Sequence, residues 1–91
     1  MDEILTLFKI DIGITHKLRD EYFKKFLAAA QKEIESKGIT LGLNDVEDQM
    51  LLSDYAAWKY RKRQEDVGMS QNLKYRVRNR VVKERAKYAG T

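Results

Sequence analysis

Ninety-one residues leave room for one compact domain and no second, since domains usually occupy roughly 50 to 250 residues. The chain has no Cys, which excludes a disulfide framework, a thiolate metal site and a cysteine nucleophile, and fits a reducing compartment. Its one histidine, His16, leaves no second imidazole for an HExxH pair, so any Ser-His-Asp triad must pass through that single ring. Hydrophobic residues make up 43%, charged residues 35%, and Pro is absent, a balance too apolar for disorder and suited to a folded, mostly α-helical protein. No apolar run reaches the roughly 18 residues needed to cross a bilayer, and Met1-Asp2-Glu3 is acidic where a secretory signal is basic. A soluble, intracellular product with no membrane partner is expected. A domain of this size buries only about 60 to 65% of its unfolded surface, so support from neighbouring subunits is expected as well.

The formal net charge of +4 conceals an asymmetry. Residues 1–48 hold seven Lys or Arg against ten Asp or Glu, and residues 49–91 hold eleven against four, so the halves stand at −3 and +7. Such an imbalance serves either nucleic acid or an acid-to-base contact between neighbouring copies.

In chain order, Asp2 and Glu3 open a first helix over about residues 2 to 11, with Ile4, Leu5, Leu7 and Phe8 as its apolar residues and Gly13 as its stop. The alternation of Ile10, Ile12 and Ile14 has a strand's period but no pairing partner, and is discounted. Thr15 is placed to cap a second helix over about 16 to 37. Its broad apolar face combines Tyr22, Phe26 and Ala29 with Phe23, Leu27, Ala30 and Ile34, and Lys37-Gly38 ends it. Residues 39–43 form a short connection. Asn44 followed by Glu47 resembles a capping box and starts a third helix over about 45 to 65. Between residues 50 and 60 that helix is apolar nearly all round, with Val46, Met50, Ala57 and Tyr60, then Leu51 and Trp58, then Leu52 and Tyr55 on successive sides. It therefore belongs at the centre of the bundle.

Gly68 breaks the chain, and Ser70 caps a fourth helix over about 71 to 88 that Gly90 closes. This helix carries two apolar stripes. Leu73, Val77, Val81 and Tyr88 form one; Tyr75, Val82 and Ala86, with Asn79 among them, form the other. Lys74, Arg78 and Arg85 flank them on one side, Arg76, Lys83 and Lys87 on the other, and Arg80 sits at the edge of the first stripe. A peripheral helix needs one apolar face, so the second stripe asks for a partner. The fold class expected is all-α: a single domain of four helices, a short first and three longer ones, around a central third helix.

Catalytic chemistry is not expected. The carboxylates Asp45, Glu47 and Asp48, and the pair Glu33 and Glu35, read as solvated charges at helix ends, His16 reads as exposed, and the five glycines form no phosphate loop. No cofactor or metal is called for. The basic residues of the fourth helix suit phosphate neutralisation, yet their two flanks are split by apolar stripes where a groove-reading helix presents one continuous polar face. Trp58, Tyr55 and Tyr60 read as core packing, while Arg61 and Arg63 are candidates for contact with another protein.

The run Leu51-Leu52-Ser53-Asp54-Tyr55-Ala56-Ala57-Trp58-Lys59-Tyr60-Arg61-Lys62-Arg63, followed by Met69 and then Leu73-Lys74-Tyr75-Arg76-Val77-Arg78-Asn79-Arg80, resembles the small head-tail connector proteins of tailed bacteriophages and prophages. The short first helix, Gly13-Ile14-Thr15 and the long amphipathic helix fit the same family. The resemblance departs at Ser70, where many such proteins carry Pro, and in the short stretch after the fourth helix. It implies a non-enzymatic virion protein, made in the host cytoplasm and placed at the head-tail junction. About a dozen copies would form a ring below the portal protein, extend the DNA channel and receive the next neck or tail protein. In that frame Tyr75, Asn79, Val82, Ala86, Arg61 and Arg63 are candidate subunit-interface residues, and the −3 and +7 halves orient successive copies. Lys74, Arg78, Lys83 and Arg85 are candidates for non-specific contact with DNA in the channel. The competing reading from another class is a small DNA-binding regulator of helix-turn-helix type.

Overall fold

The computed structural model describes residues 2–65 and 67–89, with side chains given for all of these but 64, 88 and 89. Among the described residues the chain forms four α-helices and no strand: α1 (Asp2–Ile12), α2 (Asp20–Glu35), α3 (Val46–Glu65) and α4 (Gln71–Ala89). This is the expected all-α, four-helix architecture.

In α1 the row Ile4, Leu5 and Phe8 is buried, with Asp2 and Glu3 in the first turn where the helix dipole favours them. The helix stops as Gly13 takes φ +77°, a conformation that Cβ-bearing residues avoid. There the Gly13 N–H donates to the Ile10 carbonyl (3.2 Å) and the Ile14 N–H to that of Lys9 (2.9 Å). Ile12 and Ile14 pack against the core while Ile10 is exposed.

The second helix begins at Asp20, not near residue 16, and Thr15 caps nothing: Arg19 occupies the N-cap position and makes no side-chain cap bond. The reason is tertiary. Ile14 folds back on the core, so residues 14–19 are spent crossing from α1 to α2, and a 2.7 Å ion pair from Lys9 pins Asp20 as the first helical residue. Phe23, Leu27, Ala30 and Ile34 are buried as expected, but of the neighbouring row only Phe26 is drawn in, leaving Tyr22 and Ala29 exposed. At the far end Gly38 takes φ +94° and its N–H donates to the Glu35 carbonyl. Ile39 and Leu41 then plug the core.

The cap of α3 is also one residue away from the expected one: Asp45, not Asn44, accepts the Glu47 N–H, at 2.8 Å. Leu51, Leu52, Ser53, Tyr55, Ala56 and Ala57 are all buried, and α3 packs on each of the other helices, most extensively on α1. Helices α1 and α3 run parallel, for Gln49 reaches Glu3 at one end and Arg61 reaches Asp11 at the other. One aromatic from each of three helices closes the core. Phe8, Phe23 and Tyr60 pack edge to face with centroids 5.5, 5.8 and 6.0 Å apart, each such pair contributing about 0.5–1.5 kcal/mol beyond simple burial.

Ser70 caps α4 by accepting the Leu73 N–H at 3.1 Å. Helix α4 runs antiparallel to α3, since Arg76 pairs with Asp54 (2.7 Å) and Arg80 with Asp48. Leu73 and Val77 are buried and Val81 is partly so; the Tyr88 side chain, assigned to the same stripe, and Gly90 lie outside the described residues.

Asp48 overturns the expectation of a solvated helix-end charge. It is 3% exposed, accepts the Gly42 N–H at 2.8 Å and pairs with Arg80. Arg80 also donates to the Thr40 carbonyl (2.9 Å) and approaches Glu84 (3.4 Å), itself buried. Removing one member of such a cluster strands the others. Arg80→Ala is expected to lower stability by about 3 kcal/mol or more, read as a reduced urea midpoint at unchanged slope. Arg85→Ala, at an exposed position, should stay within about 0.5 kcal/mol of the parent.

Candidate interaction surface

The site is built by rotation about one helix. With 3.6 residues per turn, Val82 stands about 140° from Val77, so once Leu73 and Val77 face α3, the second row must face away. Tyr75 is 64% exposed and Val82 58%, and Asn79 and Ala86 are exposed with them. No described part of the protomer covers this row.

The basic residues of α4 divide into two sets. Arg76 and Arg80 are consumed inward by Asp54, Asp48 and Glu84, and Lys87 stands 3.8 Å from Glu84. Lys74, Arg78, Lys83 and Arg85 are exposed and have no carboxylate partner among the described residues. The outer apolar row is thus bordered by unneutralised cations, and these four are the α4 residues placed to meet an anion.

Arg61 and Arg63 are not brought to this row. Arg61 donates to the Asp11 carbonyl at 2.8 Å, and Arg63 donates to the Tyr22 hydroxyl while lying over the Tyr22 and Phe26 rings at 5.7 and 6.0 Å. Both make contacts within their own chain while remaining exposed. The aromatics Tyr55, Trp58 and Tyr60 do belong to the core and its edge. Tyr55 and Trp58 pack edge to face at 5.4 Å, and the Trp58 indole N–H donates to the Val67 carbonyl. His16 is exposed in the α1–α2 crossing.

The charge asymmetry along the chain is partly offset within the protomer. Lys59 pairs with Glu33, Arg61 with Asp11 and Arg80 with Asp48, each joining the basic half to the acidic half.

Glu33 accepts from two side chains, Tyr55 and Lys59. Burial by itself would raise its carboxyl, but hydrogen bonds from Lys59 and Tyr55 and the positive charges of Lys59 and Lys37 outweigh that and hold it below its ordinary value of 4.5. Burial, together with the hydrogen bond donated to Glu33 and the carboxylate's negative charge, pushes the Tyr55 phenol well above its ordinary value of 10.0. Among the described residues no group of three or more His, Cys, Asp or Glu side chains has the placement to hold a metal ion. No described helix is long and apolar enough to cross a membrane.

Comparison of the chain with protein-family models, curated proteins and solved structures finds no match.

The two shifts give opposite pH dependences. Glu33, depressed on folding, stabilises above its unfolded value near 4.5, and that contribution fades as pH falls through the lower folded value. Tyr55, raised on folding, stabilises below about pH 10 and its contribution fades as pH climbs toward the higher folded value. A urea-midpoint profile against pH should lose part of its acid slope in Glu33→Gln and part of its alkaline slope in Tyr55→Phe.

Proposed function

We propose that this chain is a structural head-tail connector of a tailed bacteriophage or prophage, acting through self-association and without catalysis of its own. The observation that carries the proposal is the outward row Tyr75, Asn79, Val82 and Ala86, bordered by Lys74, Arg78, Lys83 and Arg85. An apolar row on a helix whose other face is already satisfied gains by being covered. A neighbouring copy is the occupant that the likeness of residues 51–80 to the connector family supports. Copies meeting through unlike faces close into a ring when the rotation per subunit allows it. The ring would sit at the head-tail junction of the virion, after assembly in the host cytoplasm, between the portal protein and the next neck or tail protein. Cations that a neighbour leaves uncovered would meet DNA phosphates in the channel without reading sequence.

The test separates assembly from folding. Val82→Glu/Ala86→Glu should keep the parent's helical circular dichroism and thermal midpoint within a few degrees, yet form no rings in electron micrographs when mixed with the portal protein that templates the parent. Unfolding of the double variant would place the row in the protomer's own core. A parent that instead gives a salt-resistant, sequence-selective dimer on duplex DNA would make the chain a regulator.

A further inference from the structure

Two features extend beyond the outer row of α4, at opposite ends of α3. The first is Leu18, 89% exposed at the turn between α1 and α2 and flanked by Lys17 and Arg19. It is a large apolar side chain held out in solvent on an irregular segment. Neither flanking cation has a carboxylate partner among the described residues. The second is a groove of about 410 Å³ between the start of α3 and the middle of α4, lined by Val46, Met50, Leu51, Asn79 and charged residues at its rim. Val46 is 69% exposed and Met50 40%, although the helical pattern assigns both to an inward side.

The charges fit each other. On the rim, Arg76 and Arg80 are already neutralised by Asp54 and Asp48. Glu47 there and Asp45 just beyond it are exposed, without a cationic partner among the described residues, and among those residues Lys83 has no carboxylate partner either. An apolar floor beside two carboxylates, of which Asp45 also caps α3 through the Glu47 N–H, matches an apolar knob between two cations, of which Arg19 lies over the Tyr22 and Phe23 rings at 4.6 and 5.4 Å. One protomer cannot bring the two together. Arg61 and Arg63 tie the end of α3 to the α1–α2 region, whereas Val46 and Glu47 open the same helix, some 15 residues or about 20 Å away along its axis.

We propose that Leu18 of one copy seats in the α3–α4 groove of the next, with Lys17 and Arg19 against Asp45 and Glu47. The contact is heterologous, knob to groove. Through Asn79, which lines the groove, it continues onto the outer row of α4. This inference rests on the self-associating role proposed above and gives that role its second surface.

The absence of cysteine makes the experiment direct. Leu18→Cys and Met50→Cys variants are prepared separately, mixed, and treated with a short bismaleimide. The mixed Leu18–Met50 product is expected to exceed either like-with-like product by about tenfold. Glu47→Arg in the groove partner should suppress it, and Arg19→Glu in the knob partner should restore it. Like-with-like products at the statistical ratio, or a mixed product indifferent to the charge changes, would overturn the inference. The two proposals fail separately. Loss of portal-templated rings in Val82→Glu/Ala86→Glu with no knob-to-groove linking leaves the connector proposal standing, while a sequence-selective dimer removes that proposal itself.

Discussion

A helix that is apolar nearly all the way round cannot rest on a surface, and α3 is such a helix. Leu51, Leu52, Tyr55, Ala56 and Ala57 point in different directions and are all buried, so neighbours are needed on more than two sides. The chain supplies them by laying α1 parallel to α3, crossing with α2 and returning with α4. Phe8, Phe23 and Tyr60 fix that meeting point, since each ring contributes its edge or face to the other two. Everything else follows from how much surface α3 takes. Helix α4 gives it the Leu73, Val77 and Val81 row, and no described part of the protomer is set against the other side of α4.

Which row of α4 turns inward is set by ions as much as by apolar contact. Leu73, Val77 and Val81 form the more apolar stripe, because the other carries the Tyr75 hydroxyl and the Asn79 amide, so burial already favours the observed rotation. Arg76 and Arg80 reinforce it. One turn apart, they meet Asp54 and Asp48, while Thr40 and Gly42 complete the hydrogen bonding around the buried end. Rotating α4 would strand Asp48 and bury Tyr75 without gain. A buried ion pair adds little net stability over apolar replacements, yet it penalises the wrong register severely. Here that penalty keeps the second row outside.

What was legible in the sequence divides along the same line. Periodicity reports which side chains avoid water, so the four helices, the central place of α3 and the two stripes of α4 could all be read from it, as could the local cap made by Ser70. It does not report which polar groups find partners far along the chain. Asp48 with Arg80 and Glu33 with Lys59 look like solvated charges until the fold joins positions 32 and 26 apart. Arg61 and Arg63 likewise look unclaimed until Asp11 and Tyr22 arrive from α1 and α2. The start of α2 was misplaced for a similar reason. Thr15 is a good cap by composition, but Ile14 is recruited to the core and Lys9 holds Asp20, so the helix begins where the crossing ends. Val46 and Met50 match the helical pattern yet remain exposed, because α4 passes the start of α3 at a distance that leaves a groove.

Size turns these local facts into a constraint on the whole molecule. The protomer presents 6255 Å² to solvent, and a stable protein contact removes about 800 Å² from each partner. A subunit held between two neighbours through unlike faces would give up roughly 1,600 Å², about a quarter of its surface. For a chain too short to bury more than about two thirds of its unfolded surface, coverage on that scale is comparable in effect to enlarging the core, and it needs no added residues. Five of the exposed large apolar groups would suit it, while Ile10, exposed on α1, belongs to neither surface. Tyr75 and Val82 lie along the outside of α4, Val46 and Met50 at its groove, and Leu18 at the far end of the molecule. Dispersal over separated places with charged borders keeps any single apolar patch small. On the proposed connector role, one face would meet the other and not itself, which is the geometry from which closed rings are made.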